Sequence, residues 1–187
     1  FSALLSRASE AMAGAAEQAV PAAVDAVDEL RDAARGFLLL TKPLEPRPVP
    51  LRQVLGDALA RWEPVLRLRR IGVERRWDAE LPSVVPERAA LEAALHLLLR
   101  NAHDALPHGG RVTVQALIPP DGGIVITVSD TGRGFTKAAL ERFRSGLASG
   151  RRGLGLALAG RLVARLGGRL EPENATVGAR AVIRLPS

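Results

Sequence analysis

The sequence predicts an α+β fold in which helices cover one face of a mostly antiparallel sheet, a two-layer α/β sandwich. Apolar residues recur at helical spacing in two long stretches, residues 51–69 and 89–106. Alternating apolar residues follow in two short stretches, 111–117 and 123–128, which are separated by a turn rich in proline and glycine. Long helices followed by strands that are close in sequence are typical of this class.

Composition divides the 187 residues into three parts. Residues 1–40 are rich in alanine, leucine and acidic residues and form a helical segment that precedes the sandwich. Residues 41–50 contain four prolines and form a semi-rigid linker, which cannot be regular helix or sheet. Residues 51–187 are long enough for one domain with a sizeable core.

The helical segment has an apolar face that needs a partner. Pro21 marks a break or a first turn of this segment. The apolar residues at helical spacing are Val20, Val24, Val27, Leu30 and Ala34. A helix of this kind outside the main domain favours a dimeric helical bundle. The alternative is an ordinary helix that packs on the domain itself.

The apolar periodicity and the positions of glycine and proline predict the elements of the main domain in order. We expect a helix over 51–69 that can kink at Pro64, a strand over 71–77, a short connection over 81–86, and the helix over 89–106. Two strands over 111–117 and 123–128 form a hairpin. The remaining elements are helices over 136–144 and 153–166, and strands over 168–171 and 179–185.

Composition excludes several kinds of function. The chain has no cysteine, which excludes disulfides and thiolate metal sites, and three scattered histidines argue against a zinc site. Aromatic residues make up 3% of the chain, too few for a base-stacking surface, so we expect no nucleic-acid partner. The formal net charge of +6 favours polyanionic ligands, including nucleotides.

No apolar run approaches the roughly 20 residues of a membrane-spanning helix, so we expect a soluble, cytoplasmic chain. Its start at Phe1, inside a helical pattern, favours a fragment of a longer protein. Any sensor or membrane segment would then lie outside this sequence, and the chain would be the cytosolic part of a larger membrane-associated sensor.

The most informative stretch joins a strand to a glycine-opened loop. The alternating run 124–128 leads directly into Asp130, Gly132 and Gly134. A carboxylate fixed at a strand end can accept a hydrogen bond from an exocyclic amine such as that of adenine, and glycines let the backbone approach a flat ring or phosphates. The same pattern also occurs in ordinary turns.

Two further motifs flank this loop. Upstream, the helix over 89–106 carries Asn101 and Asp104; downstream, a Gly-Leu-Gly-Leu helix start begins at Gly153. In this order the three motifs resemble the ATP-binding domain shared by sensor histidine kinases, type II topoisomerases, Hsp90 and MutL. The resemblance covers residues 47–187. It is greatest for sensor histidine kinases of the nitrogen-regulation type, through the stretches 37–43, 101–110 and 181–186.

The resemblance implies the Bergerat-type ATP-binding fold, with ATP or ADP as ligand and Mg²⁺ as the metal. Asp130 would read the adenine amine, and Gly132 and Gly134 would leave room for the ring. Asn101 would bind Mg²⁺ and serve as the catalytic residue, because an amide oxygen is a suitable hard ligand. Asp104 lies one turn further on the same face, where it either joins the site or is a solvated residue near the helix end.

The phosphates would lie at the start of the helix over 153–166. Gly153, Leu154 and Gly155 open that helix, whose N-terminal amides can hold phosphate oxygens. Arg152 would add positive charge, although exposed arginines also serve solubility alone. Residues 145–152 would form a mobile lid over the nucleotide, and Phe143 resembles the aromatic residue that begins it.

The sequence departs from the family pattern at four places. Leu97 stands where many relatives have Asn, Glu or His, Arg151 replaces a glycine, and Ala179 replaces a threonine. No histidine occurs in residues 1–40. His96, His103 and His108 are interpreted as structural or solvated, so a phosphate-accepting histidine would lie upstream of Phe1 or be absent.

Three functions therefore compete. The leading hypothesis is the catalytic ATP-binding region of a sensor histidine kinase, a homodimer that phosphorylates a histidine for relay to a response regulator receiver domain. The second is a degenerate module that holds nucleotide or docks a partner without kinase activity. The third is a serine kinase of the anti-sigma type, against which the helical segment and the linker argue. The signal and the partner regulator cannot be read from these residues.

Overall fold

A computed structural model describes residues 19–20, 23–24, 26–28, 30–43, 49–77, 81, 87–146 and 154–186. The described residues of the helical segment are helical, without interruption from 30 to 41, and form α1. The other helices are α2 (Leu51–Leu68), α3 (Arg88–Ala105), α4 (Lys137–Arg144) and α5 (Leu154–Arg165). The strands are β1 (Ile71–Trp77), β2 (Gly110–Leu117), β3 (Ile124–Asp130), β4 (Arg169–Asn174) and β5 (Ala179–Leu185). No helix in these ranges is long and apolar enough to cross a membrane.

The five strands form one sheet in the order β1-β2-β3-β5-β4. β1 and β2 are parallel, with α3 as the crossover between them, and the other three pairs are antiparallel. In β2 and β3 every second residue is buried, so the sheet presents one apolar face to the helices. The α+β two-layer sandwich predicted from the sequence is confirmed.

The helical layer consists mainly of α2, α3 and α5. Each has one apolar stripe, and together with the inner face of the sheet these stripes form a single core. α3 lies at the centre of the layer, where it contacts α2, α5 and strands β2 and β3. α2 continues past Pro64 to Leu68.

α1 packs against this layer near its C-terminal end. Ala33 is buried, and a Cβ atom on Gly36 would lie only 2.5 Å from Cδ2 of Leu158 on α5, so the two helices approach closely at this glycine. Asp32 accepts a hydrogen bond from Arg100 on α3 at 2.6 Å. The part of α1 after residue 31 therefore contacts both helices that carry the predicted site residues.

A largely buried arginine joins the end of α1 to α5 and the residue before α3. Arg165 of α5 donates to the carbonyl oxygens of Leu40 at 3.4 Å and Lys42 at 2.7 Å, and pairs with Glu87 at 2.6 Å. The side chains of Arg165 and Glu87 are only 11% and 10% exposed. A buried charge without its partner is strongly destabilising, so Glu87, directly before α3, and Arg165 depend on each other.

β4 differs most from its sequence-based prediction, while β3 continues two residues beyond its predicted end to Asp130. Alternation predicts a strand over 168–171, whereas β4 runs on through Pro172 to Asn174. β4 pairs only with β5 and is an edge strand, the position at which a sheet tolerates the missing N–H of proline. The extension carries Asn174 to the end of β4, opposite Ala179 in β5.

Candidate functional site

α3 positions the predicted metal-binding asparagine at the edge of the core. Leu91, Leu95, Leu98 and Leu99 are buried, while Asn101 is partly exposed on the same helix. The side chain of Asn101 has no hydrogen-bond partner among the described residues. Its amide therefore remains available to a ligand.

The carboxylate of Asp104 is held by its neighbours. Its Oδ1 lies 2.9 Å from Nδ1 of His103, and its Oδ2 lies 4.0 Å from Nε of Arg100. The side chain is 52% exposed. This environment fits both interpretations of Asp104, a charged group at the rim of a site and a solvated residue near the helix end.

A loop of residues 130–134, here the Asp130 loop, passes directly over the end of α3. The N–H of Arg133 donates to the carbonyl oxygen of Ala105 at 3.4 Å. A Cβ atom on Gly132 would lie 2.9 Å from the Cβ of Ala105, too close for any side chain. The glycine at 132 thus lets the Asp130 loop reach the helix that carries Asn101 and Asp104.

The carboxyl group of Asp130 is partly buried at the end of β3. Burial raises its pKa above the ordinary value, while hydrogen bonds from the N–H groups of Gly132, at 2.8 Å, and Ala179 oppose the shift. The structure shows no side-chain cation bonded to it among the described residues. An incompletely compensated carboxylate beside a glycine loop is suited to accept a hydrogen bond from a polar ligand.

The turn between β4 and β5 supports the Asp130 loop from the other side. Gly178 has a φ of +75°, and a side chain there would overlap the carbonyl oxygen of Asp130. Its Cβ would also lie 2.9 Å from the nitrogen of Gly132. Gly178 is therefore required by both conformation and space, and sequence reasoning did not assign it a role.

The start of α5 faces Asn101. A Cβ atom on Gly155 would lie 3.8 Å from Oδ1 of Asn101 and 3.7 Å from Cδ2 of Leu97. These are ordinary contact distances, so the glycine leaves open the space in front of the Asn101 amide. Leu154 is partly buried against the core. Arg152 and Gly153, also predicted for this site, lie outside the described residues, as does most of the predicted lid.

α4 leads toward the predicted lid and packs loosely. Thr136 caps its N-terminus by accepting a hydrogen bond from Ala139 at 3.2 Å. None of its residues is fully buried. Phe143 contacts α5 at Gly160, where a Cβ would lie 3.0 Å from the ring. Phe143, predicted as the aromatic residue that begins the lid, thus anchors α4 on α5.

A polar cluster on α3 connects the site with α1. The indole N–H of Trp62 donates to Nδ1 of His96 at 3.2 Å, so Nδ1 is an acceptor and Nε2 carries the proton that is donated to Asp32 at 3.0 Å. Burial raises the pKa of Asp32, but hydrogen bonds from His96 and Arg100 outweigh burial and leave that pKa below its ordinary value. His96 is therefore a structural residue, as predicted.

Asn101, Gly155, Asp130 and the intervening glycines surround one region between α3, α5 and the end of β3. A family model described as histidine kinase-, DNA gyrase B- and HSP90-like ATPase matches residues 87–187, more than half of the chain and all of this region. The chain belongs to this ATPase family.

Relatives within the family are histidine kinases. The cell-division control histidine kinase PdhS from Brucella abortus is 30% identical over 94 residues, which cover 50% of this chain and 9% of that protein. PdhS from Brucella suis is 29% identical over the same length. The chain therefore spans only 9% of the length of these curated relatives.

Solved structures of histidine kinases have the same fold. The mycobacterial sensor histidine kinase MprB is 29% identical, with a TM-score of 0.59 over 76% of this chain and 97% of that chain. Histidine kinase ThkA in complex with the response regulator protein TrrA is 19% identical, with a TM-score of 0.72 over 87% and 48% of the two chains. Full-length ShkA in complex with AMPPNP is 24% identical, with a TM-score of 0.70 over 87% and 35%.

The structure brings together most of the predicted site residues and adds others. Asn101 lies beside Gly155, and the Asp130 loop lies against the end of α3. Gly178 and the N–H of Ala179 contact Asp130, and sequence reasoning did not predict either contact, because a backbone contact leaves no residue-type signal. Among the described residues, no group of three His, Cys, Asp or Glu side chains could hold a metal ion.

We predict that Asp130→Asn stabilises the ligand-free chain at neutral pH. The folded pKa of Asp130 is raised above its unfolded value of about 3.9, so the folded state binds more protons between these two values. The free energy of unfolding therefore falls as pH rises through this window, and the neutral amide removes that loss. Urea denaturation of the variant and the wild type between pH 4 and pH 8 measures the difference between their free energies of unfolding. This difference should shrink toward pH 4.

The matched control is Asp121→Asn in the exposed β2–β3 turn, which removes one negative charge without altering the site. Its effect on unfolding should not depend on pH in the same way. A loss of stability for Asp130→Asn at pH 7 would contradict the prediction, since it would mean that the charged form is the better fit to the two N–H donors.

Proposed function

We propose that the chain is the catalytic ATP-binding region of a sensor histidine kinase. In this function it binds ATP with Mg²⁺ and presents the γ-phosphoryl group to a histidine on a dimeric helical bundle. The observation that carries the proposal is the partly buried carboxylate of Asp130, whose pKa is raised and whose glycine loop packs against the end of the helix that carries Asn101.

Asp130 has the chemistry to recognise adenine. Its carboxylate accepts hydrogen bonds from Gly132 and Ala179, and these two donors fix its orientation while lone pairs remain for the exocyclic amine of adenine. Guanine has a carbonyl oxygen at the corresponding position and cannot donate there. The site is therefore expected to prefer ATP to GTP.

Asn101 fits the role of a magnesium ligand. Its side-chain amide has no partner among the described residues, and Gly155 keeps the space in front of it open. A bound Mg²⁺ would neutralise charge on the triphosphate. Most of the remaining work of the chain is positioning: α3 presents Asn101, the Asp130 loop orients the base, and the amides at the start of α5 hold phosphate oxygens.

α1 supports a homodimeric bundle. Four apolar side chains in the described N-terminal residues are more than half exposed: Val20, Val24, Val27 and Leu30. Their spacing in the sequence places them on one side of a helix, and a second copy of the segment would cover that side. In this function the phosphorylated histidine would pass its phosphoryl group to a response regulator receiver domain. Because ATP is the phosphoryl donor, the region would act in the cytoplasm.

A specific observation favours the alternative, a kinase-like nucleotide-binding or docking module. Leu97 is only 5% exposed and lies one turn before Asn101, beside Gly155. An apolar side chain there can neither orient a nucleophile nor exchange a proton. The module would bind nucleotide through Asp130 and Asn101 without transferring phosphate.

We predict that the chain binds ATP or ADP in a magnesium-dependent manner and that Asp130→Asn weakens binding more than tenfold. A hydrogen bond to a charged group contributes about 1.5–3 kcal/mol, and the variant amide need not present its oxygen to adenine. Calorimetry of the wild type and the variant measures this loss, with Asp121→Asn as the control that should bind normally. Equal affinity of Asp130→Asn and wild type would contradict the assignment of the carboxylate.

We predict a dimer through the apolar face of α1. The double variant Val24→Glu/Val27→Glu places two charges in the expected contact and should halve the mass measured by light scattering at micromolar concentration. The control is Leu68→Glu, because Leu68 is an apolar residue of α2 that is 87% exposed. A double variant that keeps the dimer mass would rule out this face.

We predict that the full-length protein, incubated with γ-labelled ATP, acquires acid-labile and base-stable phosphate on a histidine. Asn101→Ala should abolish the label through loss of the magnesium ligand, whereas Lys137→Ala, an exposed change on α4, should retain it. A protein that binds ATP and acquires no label is the module, and Leu97→Asn is then the first variant in which to look for restored activity.

A further inference from the structure

The side chain of Asn174 joins the end of β4 to the far end of the Asp130 loop. Its Oδ1 accepts a hydrogen bond from the N–H of Phe135 at 2.7 Å, and its Nδ2 donates to the carbonyl oxygen of Phe135 at 3.0 Å. The backbone N–H can only donate and the carbonyl can only accept, so the orientation of the amide is unambiguous. One side chain thus satisfies both backbone groups of Phe135.

Phe135 has no other backbone partner among the described residues. It lies between Gly134, whose φ is +73°, and Thr136, which caps α4. Because Phe135 belongs to neither a strand nor a helix, its backbone groups depend on Asn174 or on water. Asn174 therefore fixes the point at which the chain leaves the Asp130 loop and enters α4.

The contact reaches the glycine of the loop itself. A Cβ atom on Gly134 would lie 2.9 Å from Oδ1 of Asn174, so the amide packs directly against this glycine. At the other end of the loop, Gly178 lies against Asp130 and Gly132. The residues from the end of β4 to the start of β5 thus contact the Asp130 loop at both ends.

We propose that Asn174 is a positioning residue of the nucleotide site. It does not touch the ligand; by holding the backbone of Phe135 it keeps Gly134 and Asp130 in the arrangement that accepts adenine. This inference rests on the proposed function, since it concerns the same site.

The magnitude follows from the exposure of Asn174. Its two hydrogen bonds are neutral and face solvent, so water replaces them in part when they are lost. Removing them should weaken ATP binding about fivefold. Asn174 is exposed, so its truncation leaves no cavity and the core is expected to fold as before.

The test compares Asn174→Ala and Asn174→Asp with wild type. Alanine removes both hydrogen bonds, whereas aspartate keeps the size and the acceptor but cannot donate to the carbonyl of Phe135. The control is Val177→Ala in the same turn, where Val177 is 63% exposed. Hydrogen exchange at the amide of Phe135 is measured in the ligand-free chain, and affinities for ATP and GTP are measured by calorimetry.

Asn174→Ala should speed exchange at Phe135 and weaken ATP binding about fivefold, with a smaller effect on GTP, which does not use the Asp130 contact. Asn174→Asp keeps the acceptor for the N–H of Phe135, so it should change exchange there less and weaken ATP binding through loss of the donor alone. The ratio of ATP to GTP affinity should therefore fall. A purely structural role would lower the thermal midpoint and leave this ratio unchanged. Val177→Ala should match wild type in every measurement.

Unchanged exchange and unchanged affinity ratio, in a chain that binds ATP, would overturn the role of Asn174 and leave the proposed function intact. Wild-type affinity in Asn174→Asp would overturn the two-bond arrangement, since its donor would then be dispensable. Failure of the wild type to bind ATP would overturn the proposed function and the nucleotide role of Asn174 together, and exchange at Phe135 would still report whether Asn174 holds the loop.

Discussion

Burial of α3 is the constraint on which the rest of the structure depends. The helix lies between α2, α5 and the sheet, and four of its leucines are at most 3% exposed: Leu91, Leu95, Leu98 and Leu99. Each contributes about 2 kcal/mol by leaving water. A helix fixed on so many sides cannot rotate or slide without exposing this surface, so the position of Asn101 at its edge is set by apolar packing. The Asp130 loop, the start of α5 and α1 are all placed by contact with this one helix.

Much of the fold could be predicted from local pattern alone. The stripes of α2 and α3 and the alternation of β2 and β3 are set by residues close in sequence, and the structure confirms these elements. Asp130 and Asn101 could be singled out as candidates in the same way, because their motifs combine a residue type with a regular element; their roles remain predictions. The alternating run that leads into Asp130 and the glycine at 132 already imply a glycine-opened loop that a flat ring or phosphates can approach.

The contacts between distant segments could not be predicted. Asn174 and Phe135 are 39 residues apart, and they meet only because an edge strand tolerates Pro172 and continues to Asn174. Gly178 reaches Asp130 because β5 pairs with β3 in one register, which a single sequence does not specify. The packing of Asp32 on Arg100 depends in the same way on where α1 lies. Each contact is made by a polar side chain or a glycine. Such residues are common in turns and on exposed helices, so their presence in the sequence does not indicate a contact.

The contacts of Arg165 determine which mutations the junction between α1 and the main domain can accept during evolution. It binds the end of α1 through the carbonyl oxygens of Leu40 and Lys42, which every amino acid possesses. Substitutions at these two positions therefore leave both acceptors in place, although the side chain of Leu40 also packs against the core. An inserted or deleted residue, by contrast, would rotate the carbonyls away from the guanidinium and leave a buried charge short of partners. The junction is thus tolerant of substitution and intolerant of a change in length.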